Sequence, residues 1–190
     1  KEGPVTYHLS KTLVLVGLMG AGKTAIGTLV AQRLGVDFVD SDEEIVRAAN
    51  MSIPEIFERD GVDFFRLKET QIIERLLDAK PHVLSTGGGA FLSAHNQELI
   101  KNSGVAVWFH AELDTLWSRV KDKNTRPLLM VPNPKGKLRE LYDTRNPEYA
   151  KAQVKVMAKP NQTKEAMVSR VIAALLADPN SGVTKVEEDA

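Results

Sequence analysis

"LVGLMGAGKTAIG", Leu15 to Gly27, sets four glycines, one lysine and one threonine between two apolar runs. Its first residues close "TLVLV" (Thr12 to Val16), a continuous branched run of the kind that fills a strand buried on both faces of a parallel sheet. Its last residues open a helix, because Ile26, Leu29, Val30 and Leu34 recur at helical spacing and Gly35 stops the pattern. Between them "GLMGAGKT" (Gly17 to Thr24) fits G-x-x-x-x-G-K-[ST] in the strand-to-helix setting that this spacing requires. Glycines let successive amides curl inward, and the helix N-terminus adds partial positive charge. The bend is therefore read as a cradle for the phosphates of a nucleoside triphosphate, with Gly20, Ala21, Gly22, Lys23, Thr24 and Ala25 as its candidate residues. Lys23 can reach the β and γ phosphates, and the Thr24 hydroxyl can ligate Mg2+.

Outward from this bend the strand-helix alternation continues. Val36–Asp42, His82–Thr86, Val105–His110 and Val154–Met157 read as further strands. Helical periodicity follows in Leu113, Leu116, Trp117 and Val120, and again in Met167, Val168, Val171, Ile172 and Leu175. "SIPE" (Ser52 to Glu55) is a capping box that opens a short helix ending near Gly61, and a longer helix is predicted from about Asp63 to Asp78.

Five strands alternating with helices predict an α/β fold in three α/β/α layers, with a five-stranded parallel sheet and binding at the strands' carboxyl ends. The roughly forty residues between the second and third strands exceed a simple crossover and predict a helical insert, about 43–79, facing the ligand. Asn124–Gly136 holds three prolines and two asparagines and is read as part of a mobile lid, about 122–137. Beyond Asp178, "PNSGVTKVEEDA" reads as a disordered or solvated tail, so one domain is expected with its core over 12–176.

Lys plus Arg and Asp plus Glu balance at 25 each, which leaves no net field to gather nucleic acid or an acidic membrane. Any anion site must be local. Cysteine is absent, which removes disulfides and thiolate chemistry and suits a reducing cytoplasm. The early apolar run Leu13–Val16 is too short for a membrane span.

Several residues outside the cradle are candidates for chemistry. Asp40 and Asp42 are expected at the end of the second strand, two apart and on one face, where one can serve magnesium and the other accept a hydroxyl proton. Arg66 and Glu69 lie i, i+3 on one helix face, so the carboxylate can hold the guanidinium in a fixed pose. "TGGG" (Thr86 to Gly89) strips side chains from a strand end where something approaches the backbone closely. Arg126 lies in the expected lid and can fold over the γ-phosphate, and Arg145 precedes "NPEY". His8, His82, His95 and His110 show no ligand spacing, and Trp108 and Trp117 fall on apolar faces.

"GLMGAGKT", "FVDSD", "FFRLKE", "STGGGAF", "RPLL" and "RNPEY" stand in order over about Thr12 to Leu176, and together they resemble shikimate kinase, a small P-loop kinase. The resemblance implies a P-loop NTPase-type fold, ATP and Mg2+ as cofactors, shikimate as the small-molecule substrate, and a monomer. It implies Asp42 as the base near the 3-hydroxyl, Arg66 and Arg145 as a clamp on the substrate carboxylate, and Glu69 as the group that orients Arg66. Gly87, Gly88 and Gly89 would border the same ligand, with the Gly88 amide donating to it. Asp40 would assist Thr24 at magnesium, and Lys23 with Arg126 would stabilise the transferring phosphoryl group. Arg119 and Gln162 would flank adenine. One departure is Val62 after Gly61, where the family often has glutamate. The residues alone leave open a kinase for another hydroxy acid, such as gluconate, and a nucleotide-binding regulator without an acceptor.

Overall fold

The computed structural model describes residues 5–122 and 127–187. Strand β1 (Thr6–Leu9) leads into β2 (Thr12–Val16), and the glycine-rich bend then delivers the chain to helix α1 (Lys23–Leu34). Gly35 ends α1 in the left-handed conformation, with its amide bonded back to the last turn. After β3 (Phe38–Asp40) come α2 (Ser41–Ala49) and α3 (Ile53–Leu77), then β4 (Val83–Ser85), α4 (Ala94–Ser103) and β5 (Gly104–His110). The chain finishes with α5 (Leu113–Val120), α6 (Pro134–Tyr149), β6 (Val154–Met157), α7 (Lys164–Ala177) and β7 (Val183–Val186).

The main sheet has five strands in the order β3-β4-β2-β5-β6, all pairings parallel. β2 is therefore central, and all five of its residues are buried, as its unbroken apolar run requires. Leu13, Val14, Leu15, Val105 and Val107 are wholly inaccessible. Each such side chain contributes about 1.5–3 kcal/mol by leaving water. The carboxyl ends of β2, β3 and β4 carry the phosphate loop, Asp40 and the glycine loop that follows Ser85, so the sheet gathers the chemistry at one edge.

The segment between β3 and β4 folds as α2 and α3. Ser52 caps α3 by accepting from the Glu55 amide, as "SIPE" predicts, and the Glu55 carboxylate turns back to accept from the Ser52 hydroxyl where a capping box would use the Ser52 amide. Gly61, at φ 86° and ψ 172°, breaks the helical path, so α3 is two helical stretches meeting at a kink.

Two expectations are corrected, and a third segment takes a local form that its composition does not declare. The second strand stops at Asp40, and Ser41 and Asp42 already belong to α2. The reason is that Asp40 Oδ1 accepts from the amides of Asp42 (2.8 Å) and Glu43 (3.2 Å), an N-cap that starts a helix where strand alternation would otherwise continue. In the segment expected as a lid, Pro127–Leu129 form a 3-10 turn and residues from Pro134 onward are helical. Asn133 caps that helix and Pro134 sits in its first turn, so an Asn-Pro pair that resembles loop chemistry is here a helix start. Finally, the expected solvated tail contains β7, which pairs antiparallel with β1, Thr6 opposite Val186 and Leu9 opposite Val183. Buried Leu9, Ser181 and Val183 fix this ribbon, with the Ser181 hydroxyl donating to the Leu175 carbonyl and accepting from the Val183 amide.

Candidate active site

The phosphate loop is built chiefly from backbone. Gly22 sits at φ 95° as the N-cap of α1, a conformation that ordinary side chains resist, and its carbonyl accepts the first helical bond from Ile26. Lys23 follows at the helix start, and its ammonium donates to the carbonyls of Gly17 and Leu18 within the loop. Arg119 of α5 donates through Nη1 to the Gly20 carbonyl at 2.9 Å, so it stands over the same bend. Gly20, Ala21, Gly22, Lys23, Thr24, Ala25, Arg119 and Gln162 all line one cavity of about 550 Å3. Gln162 is itself fixed there, because its Oε1 accepts from the Lys159 amide at 3.2 Å.

A second cavity, of about 880 Å3, opens on the other side of Lys23 and Thr24 and is lined by Asp40, Asp42, Arg66, Glu69, Gly87, Gly88, Gly89 and Arg145. Met19, Lys23 and Thr24 border both cavities, so the two spaces meet where a terminal phosphate on the loop would end. Asp40 and Asp42 share this space as expected, but through a helix cap and a first helical turn.

Asp42 is the unusual group. Its Oδ1 is buried without a hydrogen-bond partner among the described residues. Burial, then the charges of Asp40 and Glu69, push its carboxyl up to about 6, against the opposing pull of Lys23 and Arg66. A carboxylate poised near neutrality and turned into a cleft is suited to accepting a proton.

Glu69 is 1% exposed and accepts from Arg66 Nη1 at 2.8 Å. Burial raises its carboxyl, while the hydrogen bond and charge of Arg66 pull it back. The Arg66 guanidinium also lies over the Phe65 ring, 5.2 Å from its centre.

The glycine loop explains its own composition. A Cβ on Gly87 would stand 2.9 Å from Asp42 Oδ1, one on Gly88 would stand 2.6 Å from Arg145 Nη1, and one on Gly89 would stand 2.7 Å from Arg66 Nη1. Each glycine thus makes room for a different charged side chain of the second cavity.

Among the expected site residues, Arg126 lies outside the described residues. Sequence reasoning also missed residues that line the second cavity or brace it from outside. Ile53, Phe57 and Phe65 form an apolar wall, with the Phe57 and Phe65 rings 4.8 Å apart across the kink at Gly61. Tyr149 is fully buried and its hydroxyl donates to the Gly88 carbonyl at 2.6 Å. The signal for Tyr149 was its place four residues after Arg145, one helical turn along the same face. Val62 is 56% exposed. No group of three or more His, Cys, Asp or Glu side chains among the described residues is placed to hold a metal by itself.

A family model described as shikimate kinase matches residues 19–176 of the chain. The chain belongs to the shikimate kinase family. It is 58% identical to shikimate kinase of Ruegeria pomeroyi over 167 residues, covering 88% of this chain and 86% of that one. Shikimate kinase of Cereibacter sphaeroides is 53% identical over 176 residues, covering 93% and 88% of the two chains. The solved structure of the shikimate kinase from Acinetobacter baumannii, in complex with shikimate, superposes with a TM-score of 0.81 at 37% identity, covering 90% of this chain and 95% of that one. A gluconokinase from Sinorhizobium meliloti shares the fold at a TM-score of 0.57 and 18% identity, over 90% and 94% of the two chains. The shikimate kinase family is thus matched in sequence and fold, and the gluconokinase in fold alone. No helix among the described residues is long and apolar enough to cross a membrane.

Proposed function

We infer that this protein is a shikimate kinase that transfers the γ-phosphoryl group of ATP to the 3-hydroxyl of shikimate. The observation that carries this reading is the meeting of two cavities at Lys23 and Thr24, with Asp42 and two arginines on the acceptor side. Family membership selects shikimate from the hydroxy acids that such a cleft could admit.

In this reading the Arg66 and Arg145 guanidiniums grip the shikimate carboxylate, each able to donate a pair of hydrogen bonds. The ring rests on the wall of Ile53, Phe57 and Phe65. Asp42 accepts the proton of the 3-hydroxyl as its oxygen forms a bond to the γ-phosphorus. The bond from that phosphorus to the β-γ bridging oxygen breaks, and ADP leaves with those electrons. Lys23 and the inward amides of the loop offset the charge that spreads over the phosphoryl oxygens, and Arg126 is assigned the same task. Arg119 and Gln162 border the adenine end of the nucleotide cavity.

Mg2+ fits the oxygen donors available here, the Thr24 hydroxyl and the Asp40 carboxylate facing one cavity, and when bound it would neutralise phosphate charge. The same reading takes the protein to work as a cytoplasmic monomer, and without nucleic acid or membrane, for which last point its balanced charge is the support.

Coupled measurement of ADP release with ATP and Mg2+ tests the assignment. Release is expected to depend on shikimate and to stay at background with gluconate. Preference for gluconate would overturn the acceptor, and tight ATP binding with no acceptor-stimulated release would favour a regulator.

A further inference from the structure

Two polar side chains outside the acceptor cavity are buried as deeply as its core, and neither has a part in the chemistry above. Tyr149, at the end of α6, is wholly inaccessible. Its hydroxyl donates to the Gly88 carbonyl at 2.6 Å and is hydrogen-bonded to the Arg145 side chain. Asn96, in the first turn of α4, is 1% exposed. Its Oδ1 accepts from the Thr70 hydroxyl of α3 at 2.9 Å, and its Nδ2 donates to the Ala90 carbonyl at 3.0 Å.

These bonds share one destination. Gly88 and Ala90 flank Gly89, so both side chains end on the loop against which the two guanidiniums press. Thr70 follows Glu69, which holds Arg66, and Tyr149 lies one turn beyond Arg145. Gln97 reinforces the join by donating to the Phe91 carbonyl at 2.7 Å and to Glu148 Oε2 at 2.8 Å, again linking the loop's continuation to α6. α3 and α6 enter the site from distant parts of the chain, so the spacing of their arginines follows only from how each helix is held to a common part.

We propose that Tyr149 and Asn96 are positioning residues, which set the separation of the Arg145 and Arg66 guanidiniums by tying α6 and α3 to the one glycine loop. This inference rests on the acceptor reading above, in which both arginines hold a single carboxylate. A bidentate clamp is sensitive to placement, and a misplacement of about 1 Å can lower the rate about 10²-fold. Deleting one bond in either tie strands a buried carbonyl or amide oxygen and lets the corresponding helix shift.

The test uses the full chain in two conservative variants, Tyr149→Phe and Thr70→Val, each of which removes one hydroxyl and keeps the side-chain volume. KM for shikimate, KM for ATP and kcat are measured with shikimate and with its methyl ester. Each variant is expected to raise the shikimate KM about tenfold, with the ATP KM held within about twofold. Preference for the acid over the ester is expected to shrink in both, because the clamp that reads the charge has been loosened. A general weakening of the fold would leave that preference unchanged. Variants that match the wild type in shikimate KM, or that raise both KM values equally, would overturn the proposal while leaving the enzyme assignment standing. A wild-type protein inert toward shikimate would overturn the acceptor reading and this proposal with it.

Discussion

The nucleotide cavity and the acceptor cavity touch at Lys23 and Thr24, yet they are made of different materials. The first takes most of its shape from the backbone of one contiguous bend, and the second from charged side chains that α2, α3 and α6 bring against the glycine loop. A site of the first kind is set by local conformation. One of the second kind exists only when distant elements arrive in register. Changes to the two should therefore have separable effects on the two substrates.

The largest expected separation comes from Asp42→Asn. Removing a positioned base should lower kcat by about 10² to 10⁴, with ATP affinity changed by less than about threefold. Steady-state assays with calorimetric titration of ATP check both halves, and a matching collapse of ATP binding would break the distinction between the cavities. Next is Gly89→Ala, whose new methyl would run into the Arg66 guanidinium. The shikimate KM is expected to rise about 10- to 100-fold while the ATP KM stays put. Equal changes in both would show that the glycine loop serves the whole cleft.

Acidity sharpens the comparison further. Asp42 must be ionised to take a proton, so kcat/KM for shikimate should fall about tenfold per pH unit below about 6, whereas ATP affinity should not follow that profile. The same shift has a stability sign. The folded protein binds this proton more tightly than the unfolded chain does, so folding is favoured below 3.8 and loses that advantage as pH rises to about 6. At pH 7 Asp42→Asn should therefore unfold at higher temperature or denaturant, by at most about 3 kcal/mol, and the gain should vanish below the unfolded value. The smallest effect is reserved for a region belonging to neither cavity. Ser181→Ala removes the buried hydroxyl behind the terminal ribbon and should cost about 1–2 kcal/mol in denaturant unfolding without altering either KM.

The same contrast decides what could be read from the letters. The cradle was legible because Gly17 to Thr24 carry its conformation and chemistry in eight consecutive positions. The parallel sheet was legible because β2 and β5 are buried almost throughout, and continuous apolar runs record that directly. Asp40 and Asp42 do line one cavity, but strand alternation was an incomplete reason to expect it, since the cap formed by Asp40 replaces that alternation with a helical turn. Tyr149 and Asn96 were invisible as working parts, because a buried tyrosine or asparagine declares nothing about its partner until the fold supplies Gly88 or Ala90. β1 and β7 were missed for a related reason. Each is four residues long with a single buried residue, and each is a strand only in the presence of the other.

That last pairing has an engineering consequence. Thr6 and Val186 face each other across an antiparallel ladder, where opposed α-carbons lie about 5 Å apart. A handful of flexible residues could join Val186 to Thr6 and close the chain into a ring, and new termini could then be cut at an exposed turn that lines neither cavity, such as Asp78–Lys80. Such a circular permutant would keep both cavities while changing which segments are made first, turning the order of synthesis into an adjustable variable.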